Sequence, residues 1–187
     1  MEREKKNRRS PVLPMLLMGM GLIALGAALY LVLDTSRADA QEYSTTPVEV
    51  NYPAPELELT DLAGRPVSLR DLRGSVALVN LWATWCPPCK AEMPTLQSFY
   101  EKYRDEGFVI VAINDGEPPE LVEPFVRDYG LTFPVWLDEE YKSEKAFNTI
   151  SLPSSYVIDR QGTVRLMWIG AITRKVLEKF VPAIIKE

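Results

Sequence analysis

Two cysteines, Cys86 and Cys89, are the only thiols in a chain of 187 residues that contains no histidine. They stand in the run Leu81-Trp82-Ala83-Thr84-Trp85-Cys86-Pro87-Pro88-Cys89-Lys90-Ala91-Glu92. On a helix, a spacing of three brings both sulfurs to one face and within bonding range. Such a pair can carry out thiol–disulfide exchange, in which a thiolate attacks a disulfide sulfur. A free cysteine ionises only at about pH 8.5, so the reactive form needs help at neutral pH. A helix amino end supplies that help through unpaired N–H groups and the positive end of its dipole. A purely stabilising bridge is the competing reading in an exported domain. It is the weaker one, because so short a loop removes little entropy from the unfolded chain. A c-type haem attachment needs a histidine after the second cysteine, and that position is Lys90. Two cysteines without histidine also fall short of the usual ligand set of a structural zinc.

Positioning the pair takes a strand that ends where a helix begins. Residues 76–82, VALVNLW, form a continuous apolar run of the kind that suits a strand buried on both faces. Residues 86–103 read as a helix, which puts the cysteines between that strand's carboxyl end and the helix's amino end. Pro87 and Pro88 then lie in the first turn, where a missing N–H matters little, while Pro94 falls inside and predicts a kink. Residues 108–113 read as a second buried strand, 119–129 as a helix, 135–137 as a short strand and 140–147 as a helix. Residues 155–159 and 163–168 flank Arg160-Gln161-Gly162 as a hairpin. Residues 173–186 close the chain as a helix with Thr173 as its cap and Pro182 disturbing its last turn. Upstream, Leu57 and Leu59 alternate with Glu56 and Glu58, and the turn at 61–64 leads into a partner strand at 65–69. The fold class is therefore α/β, a central mixed β-sheet flanked by helices on both faces.

The first 55 residues read differently. Residues 1–10 carry five basic side chains, and residues 11–33 carry no charge at all. A helix of about 20 such residues crosses a hydrocarbon core. The expected organisation is a cytoplasmic basic segment at 1–10, a transmembrane anchor at 11–33, a polar linker at 34–55 and a globular domain at 56–187. The charge asymmetry around the span places the domain outside the cytoplasm. A cleavable signal peptide is the alternative, with Ala38-Asp39-Ala40 as its cleavage site, but the apolar run is longer than such peptides use. Net charge is −5 overall, and residues 41–187 hold 22 acidic against 15 basic residues. That balance speaks against a nucleic-acid partner, which demands a basic face.

At Trp85-Cys86-Pro87-Pro88-Cys89 the sequence resembles the thioredoxin superfamily, and more narrowly the TlpA/ResA-like membrane-anchored thiol–disulfide oxidoreductases. The resemblance covers residues 53–186. Residues 82–89 match the active-site run, residues 59–69 match an added N-terminal β-hairpin, and Pro94 matches the helix kink. Residues 152–156 match the segment whose proline, here Pro153, is cis and faces the cysteines. X–Pro bonds are where cis peptides occur, and such a bond would offer backbone groups to an extended substrate. A trans proline at a strand entrance is the plainer reading. Thioredoxin's buried aspartate is replaced by Asn80, which cannot shuttle a proton. Glu92 matches an acidic position of the narrower group, which implies a role in tuning Cys89 and relaying its proton. The alternative is an ordinary solvated glutamate in a first turn. Asp115 to Glu120 reads as a solvated acidic loop on the same edge.

The resemblance implies a protein thiol–disulfide oxidoreductase with Cys86 attacking, Cys89 resolving and Glu92 assisting. Trp85, Pro87, Pro88, Leu152 and Pro153 are the expected substrate-binding residues. No cofactor beyond the redox-active disulfide Cys86–Cys89 and no metal are expected. Implied partners are a disulfide-bearing exported protein such as apocytochrome c, whose thiols must be reduced before haem attachment, and a membrane thiol donor of the CcdA or DsbD type. A disulfide-inserting oxidase is one alternative function. A tethered chaperone or binding module with incidental redox chemistry is another. Nothing besides the CxxC suggests a peroxide site.

Overall fold

A computed structural model describes residues 20–22, 25–29 and 46–187. The chain divides into two units, Met1–Glu42 and Tyr43–Glu187. In the first, residues 20–22 and 25–29 are helical and exposed. The basic segment at 1–10, most of the expected anchor at 11–33, the cleavage site at 38–40 and the linker up to residue 45 lie outside the described residues. Among the described residues no helix is long and apolar enough to cross a membrane.

The second unit is built on one eight-stranded mixed sheet. Its strands are β1 (Val48–Pro53), β2 (Glu58–Asp61), β3 (Pro66–Ser68), β4 (Val76–Trp82), β5 (Phe108–Asp115), β6 (Val135–Asp138), β7 (Ser154–Ile158) and β8 (Thr163–Ile169). The helices are α1 (Pro87–Tyr103), α2 (Pro119–Asp128), α3 (Lys142–Phe147) and α4 (Arg174–Ile185). The spatial order is β1-β8-β7-β4-β5-β6-β2-β3. β4, β5 and β6 run parallel, with helices as their crossovers. β7 pairs antiparallel with β4, and β8 with β7. β2 and β3 pair antiparallel as a hairpin, and β2 attaches antiparallel to β6.

β4 explains why the sheet needs cover on both faces, since all seven of its residues are buried. Val76, Leu78 and Trp82 point into one core with Met93, Leu96 and Phe99 of α1, Val122 of α2 and Leu177 and Val181 of α4. Ala77, Val79 and Leu81 point into the other, with Leu57, Leu59, Leu69, Trp136, Phe147 and Tyr156. The strand period of two thus feeds two separate apolar layers. Gly107 turns the chain from the end of α1 into β5 at φ 77. A Cβ there would lie 2.7 Å from the Arg160 guanidinium, which itself donates to the carbonyls of Gly74, Glu106 and Ile185.

The structure corrects the linker expected at 34–55. Val48–Pro53 is a strand, paired antiparallel with β8 through Val48–Met167, Glu49–Leu166, Tyr52–Val164 and Pro53–Thr163. Five of its six residues are exposed. Val48, Val50 and Tyr52 do alternate with Glu49 and Asn51, and Val50 packs half-buried against the core, but the run is short and stands between Pro47 and Pro53 in a polar stretch, which reads as a linker. Pro53 at its end gives up an N–H that an edge can spare.

Candidate active site

The dithiol sits where the two element types meet. β4 ends at Trp82, and the turn at 83–86 is closed by the Cys86 N–H donating to the Ala83 carbonyl at 3.2 Å. Cys86 is the N-cap of α1 in an extended conformation, and its sulfur accepts from the Cys89 N–H at 3.3 Å. The two sulfurs are joined as a disulfide. Cys86 keeps 3% of its surface exposed and Cys89 none, so a protein partner can reach only the first sulfur. Pro87 and Pro88 occupy the first turn and are exposed.

Trp82 and Trp85 divide their work. Trp82 is fully buried against Phe125, ring centroids 4.7 Å apart. Trp85 is 66% exposed beside Cys86. The Leu152–Pro153 bond is cis. β7 begins one residue later with Ser154 paired to Leu81, so Pro153 falls opposite Trp82, at the edge that carries the cysteines. The Gly170 N–H donates to the Pro153 carbonyl at 2.8 Å. Leu152 is half-buried and Ile150 stands 86% exposed. Trp85 thus stands exposed beside Cys86, and Leu152 packs half-buried against the apolar cluster that holds both cysteines.

Glu92 is not a solvated first-turn residue. It lies three positions after Cys89 on the buried face of α1 and is 2% exposed. Asn80 Nδ2 donates to its Oε1 at 2.8 Å, and the Ile172 N–H donates to its Oε2 at 2.9 Å. The same Asn80 amide donates to Ser155 Oγ at 2.9 Å. Burial pushes the Glu92 carboxyl up to about 7, against the pull of those two hydrogen bonds. A carboxyl poised there is suited to taking and giving a proton at neutral pH. Sequence reasoning left Glu92 open between two roles. The signal that decides is helical phase, since Cys89, Met93, Leu96 and Phe99 on the same face are all buried.

The structure also corrects the solvated acidic loop expected at 115–120. β5 runs two residues beyond the apolar stretch, so Asn114 and Asp115 are strand residues and both are buried. Burial pushes the Asp115 carboxyl up to about 7, helped by the nearby Glu144, Asp138 and Glu117 carboxylates. Glu117 is buried as well, while Glu120 is exposed. Gly116 makes the turn between them at φ 79, where a side chain would collide with the Tyr141 ring.

Comparison with known proteins agrees with this geometry. Residues 50–167 match the AhpC/TSA family. Over 139 residues the chain is 39% identical to the thiol-disulfide oxidoreductase ResA of Geobacillus kaustophilus, covering 74% of this chain and 80% of that one. A thiol:disulfide interchange protein of the thioredoxin family from Chlorobium tepidum superposes with a TM-score of 0.66 at 28% identity, covering 74% of this chain and 99% of that chain. StoA from Bacillus subtilis superposes with a TM-score of 0.59 at 27% identity, covering 68% and 97%.

Proposed function

Since this chain belongs to the AhpC/TSA family and is a thiol–disulfide oxidoreductase similar to those named ResA, we propose that it reduces disulfides in exported proteins from the outer face of a membrane. Residues 11–33 anchor it, with the basic segment in the cytoplasm. Apocytochrome c is the client class this reading favours. A membrane thiol donor of the CcdA or DsbD type returns the electrons that an oxidising compartment drains away.

The reaction starts from the reduced pair. The Cys86 thiolate, at the amino end of α1, attacks one sulfur of the client disulfide. A Cys86–client bond forms, the client's own S–S bond breaks, and the departing sulfur leaves as a thiolate that takes a proton from solvent. Cys89 passes its proton to Glu92 and attacks the Cys86 sulfur. The Cys86–Cys89 bond forms, and the second client sulfur leaves and is protonated. Two electrons have moved to the client, and the donor then restores the dithiol. The exposed Trp85, Pro87 and Pro88 and the half-buried Leu152 form the surface against which an extended client segment lies, while Pro153 is itself buried beneath it.

The observation that carries this reading is the buried Glu92 held by Asn80 and Ile172 on the helix face of Cys89. A bridge kept only for stability has no use for a proton acceptor at that place. The test is trapping in growing cells with Cys89→Ser, which leaves Cys86 without its resolving partner. Adducts with exported proteins that dithiothreitol releases, and that Cys86→Ser abolishes, are expected. An absence of adducts, or their persistence in Cys86→Ser, would refute the reading.

A further inference from the structure

Glu117 has no part in the exchange steps above, yet it is 6% exposed and meets three donors. Its Oε2 accepts from the Thr84 N–H at 2.6 Å and from Asn114 Nδ2 at 2.8 Å. Its Oε1 accepts from Thr84 Oγ1 at 2.5 Å. A group that only accepts fits this pattern, and a carboxylate is one. Two of the three donors belong to Thr84, the second residue of the four-residue turn that ends at Cys86. The third belongs to Asn114, which pairs with Trp82 across β4 and β5. The turn's own closing bond runs from Cys86 to Ala83 and leaves the Thr84 N–H without a partner inside the turn. Glu117 supplies that partner from just beyond the end of β5, and the positive φ of Gly116 turns the chain toward it.

We infer that Glu117 is a positioning residue for thiol exchange. Its carboxylate ties the turn at 83–86 to the end of β5 and so fixes the line along which the Cys86 sulfur meets an incoming disulfide. The inference rests on Cys86 being the attacking thiol but holds for either direction of electron flow. Attack on a disulfide needs near-linear alignment of three sulfurs, and small misplacements of a reacting group cost large factors in rate. An alanine at 117 removes all three contacts, whereas a glutamine can keep them, its oxygen accepting from the Thr84 and Asn114 N–H groups and its NH2 donating to the Thr84 hydroxyl, which also accepts. Thr84→Val removes the hydroxyl donor alone, and Thr84→Ser retains it.

The test uses the full chain in detergent with Cys89→Ser, so that Cys86 is the one free thiol, and dipyridyl disulfide as the probe. Cys86 attacks the probe and thiopyridone leaves, read by absorbance. The rate constant is followed upward in pH to its plateau, where the thiol is fully ionised and only alignment and access remain. Glu117→Ala is expected to lower the plateau by about fivefold or more, and Thr84→Val by a smaller factor that Thr84→Ser restores. A plateau within about twofold of the parent, or a faster one, in folded Glu117→Ala protein overturns the inference, whatever the variant does to thermal stability. If Glu117→Ala does not fold, the Thr84→Val and Thr84→Ser pair decides by the same criterion. A Cys86→Ser chain that retains Cys89 and reacts as fast as the parent would instead sink the assignment of Cys86 as attacking thiol.

Discussion

Replacing Glu92 by glutamine should remove a slope from the stability of this protein as a function of pH. The native carboxyl titrates at about 7 against an ordinary value of 4.5. Between those values the native state holds a proton that the unfolded chain releases, so stability falls as pH rises. It is fully present below about pH 4.5 and is lost as the pH climbs through about 7. The difference of about 2.5 pH units corresponds to about 3 kcal/mol, at about 1.36 kcal/mol per unit. Most of this falls between pH 5 and pH 8, where denaturant titrations of the oxidised protein are practical. Glutamine carries no titrating proton. It keeps one acceptor oxygen for Asn80 or Ile172 and sets an NH2 against the other, a fixed cost that does not vary with pH. The buried Asp115 also titrates at about 7 and adds a slope of the same sign, but it is present in both proteins and cancels in their difference. The difference in unfolding free energy, wild type minus Glu92→Gln, should therefore fall by about 2–3 kcal/mol from pH 5 to pH 8. A difference that stays flat to within about 0.5 kcal/mol would refute the reasoning, because it would mean that Glu92 ionises in the native state as it does in water.

Other outcomes follow from the same geometry. Trp85→Ala should leave unfolding free energy within about 0.5 kcal/mol of wild type, because the ring is largely exposed. It should slow exchange with an unfolded protein disulfide by about tenfold while changing reaction with a small disulfide by less than about twofold, as stopped-flow rates would report. Phe99→Ala should cost about 3–5 kcal/mol in denaturant titrations, because the ring is fully buried and contacts both Tyr103 and Phe108.

What could be read from the sequence depended on how far each feature rests on its near neighbours along the chain. β4 was visible as VALVNLW because a strand buried on both faces must be apolar at every step. The hairpin of β7 and β8 was visible because Gly162, at φ 87, takes a turn conformation that favours glycine. The cysteine pair was visible because its chemistry depends on spacing and on a helix start. β1 escaped notice because its short alternation of Val48, Val50 and Tyr52 with Glu49 and Asn51 lies between prolines in a polar stretch, and its partner β8 lies more than a hundred residues away. Asp115 and Glu117 escaped notice for a related reason. Acidic residues beside glycine and prolines read as a wet loop unless their donors are known, and the donors to Glu117 come from Thr84 and Asn114. Thr84 stands 33 residues upstream of its acceptor. Glu92 was half legible, since helical phase put it on the buried face while its charge argued for solvent.

The reduction potential of the Cys86–Cys89 pair, measured by equilibrating the protein with dithiothreitol or glutathione, tests the central claim most directly. A reductant supplied from the cytoplasm requires a value near that of thioredoxin, about −270 mV. A value near about −120 mV would mark a disulfide-inserting oxidase and contradict the account.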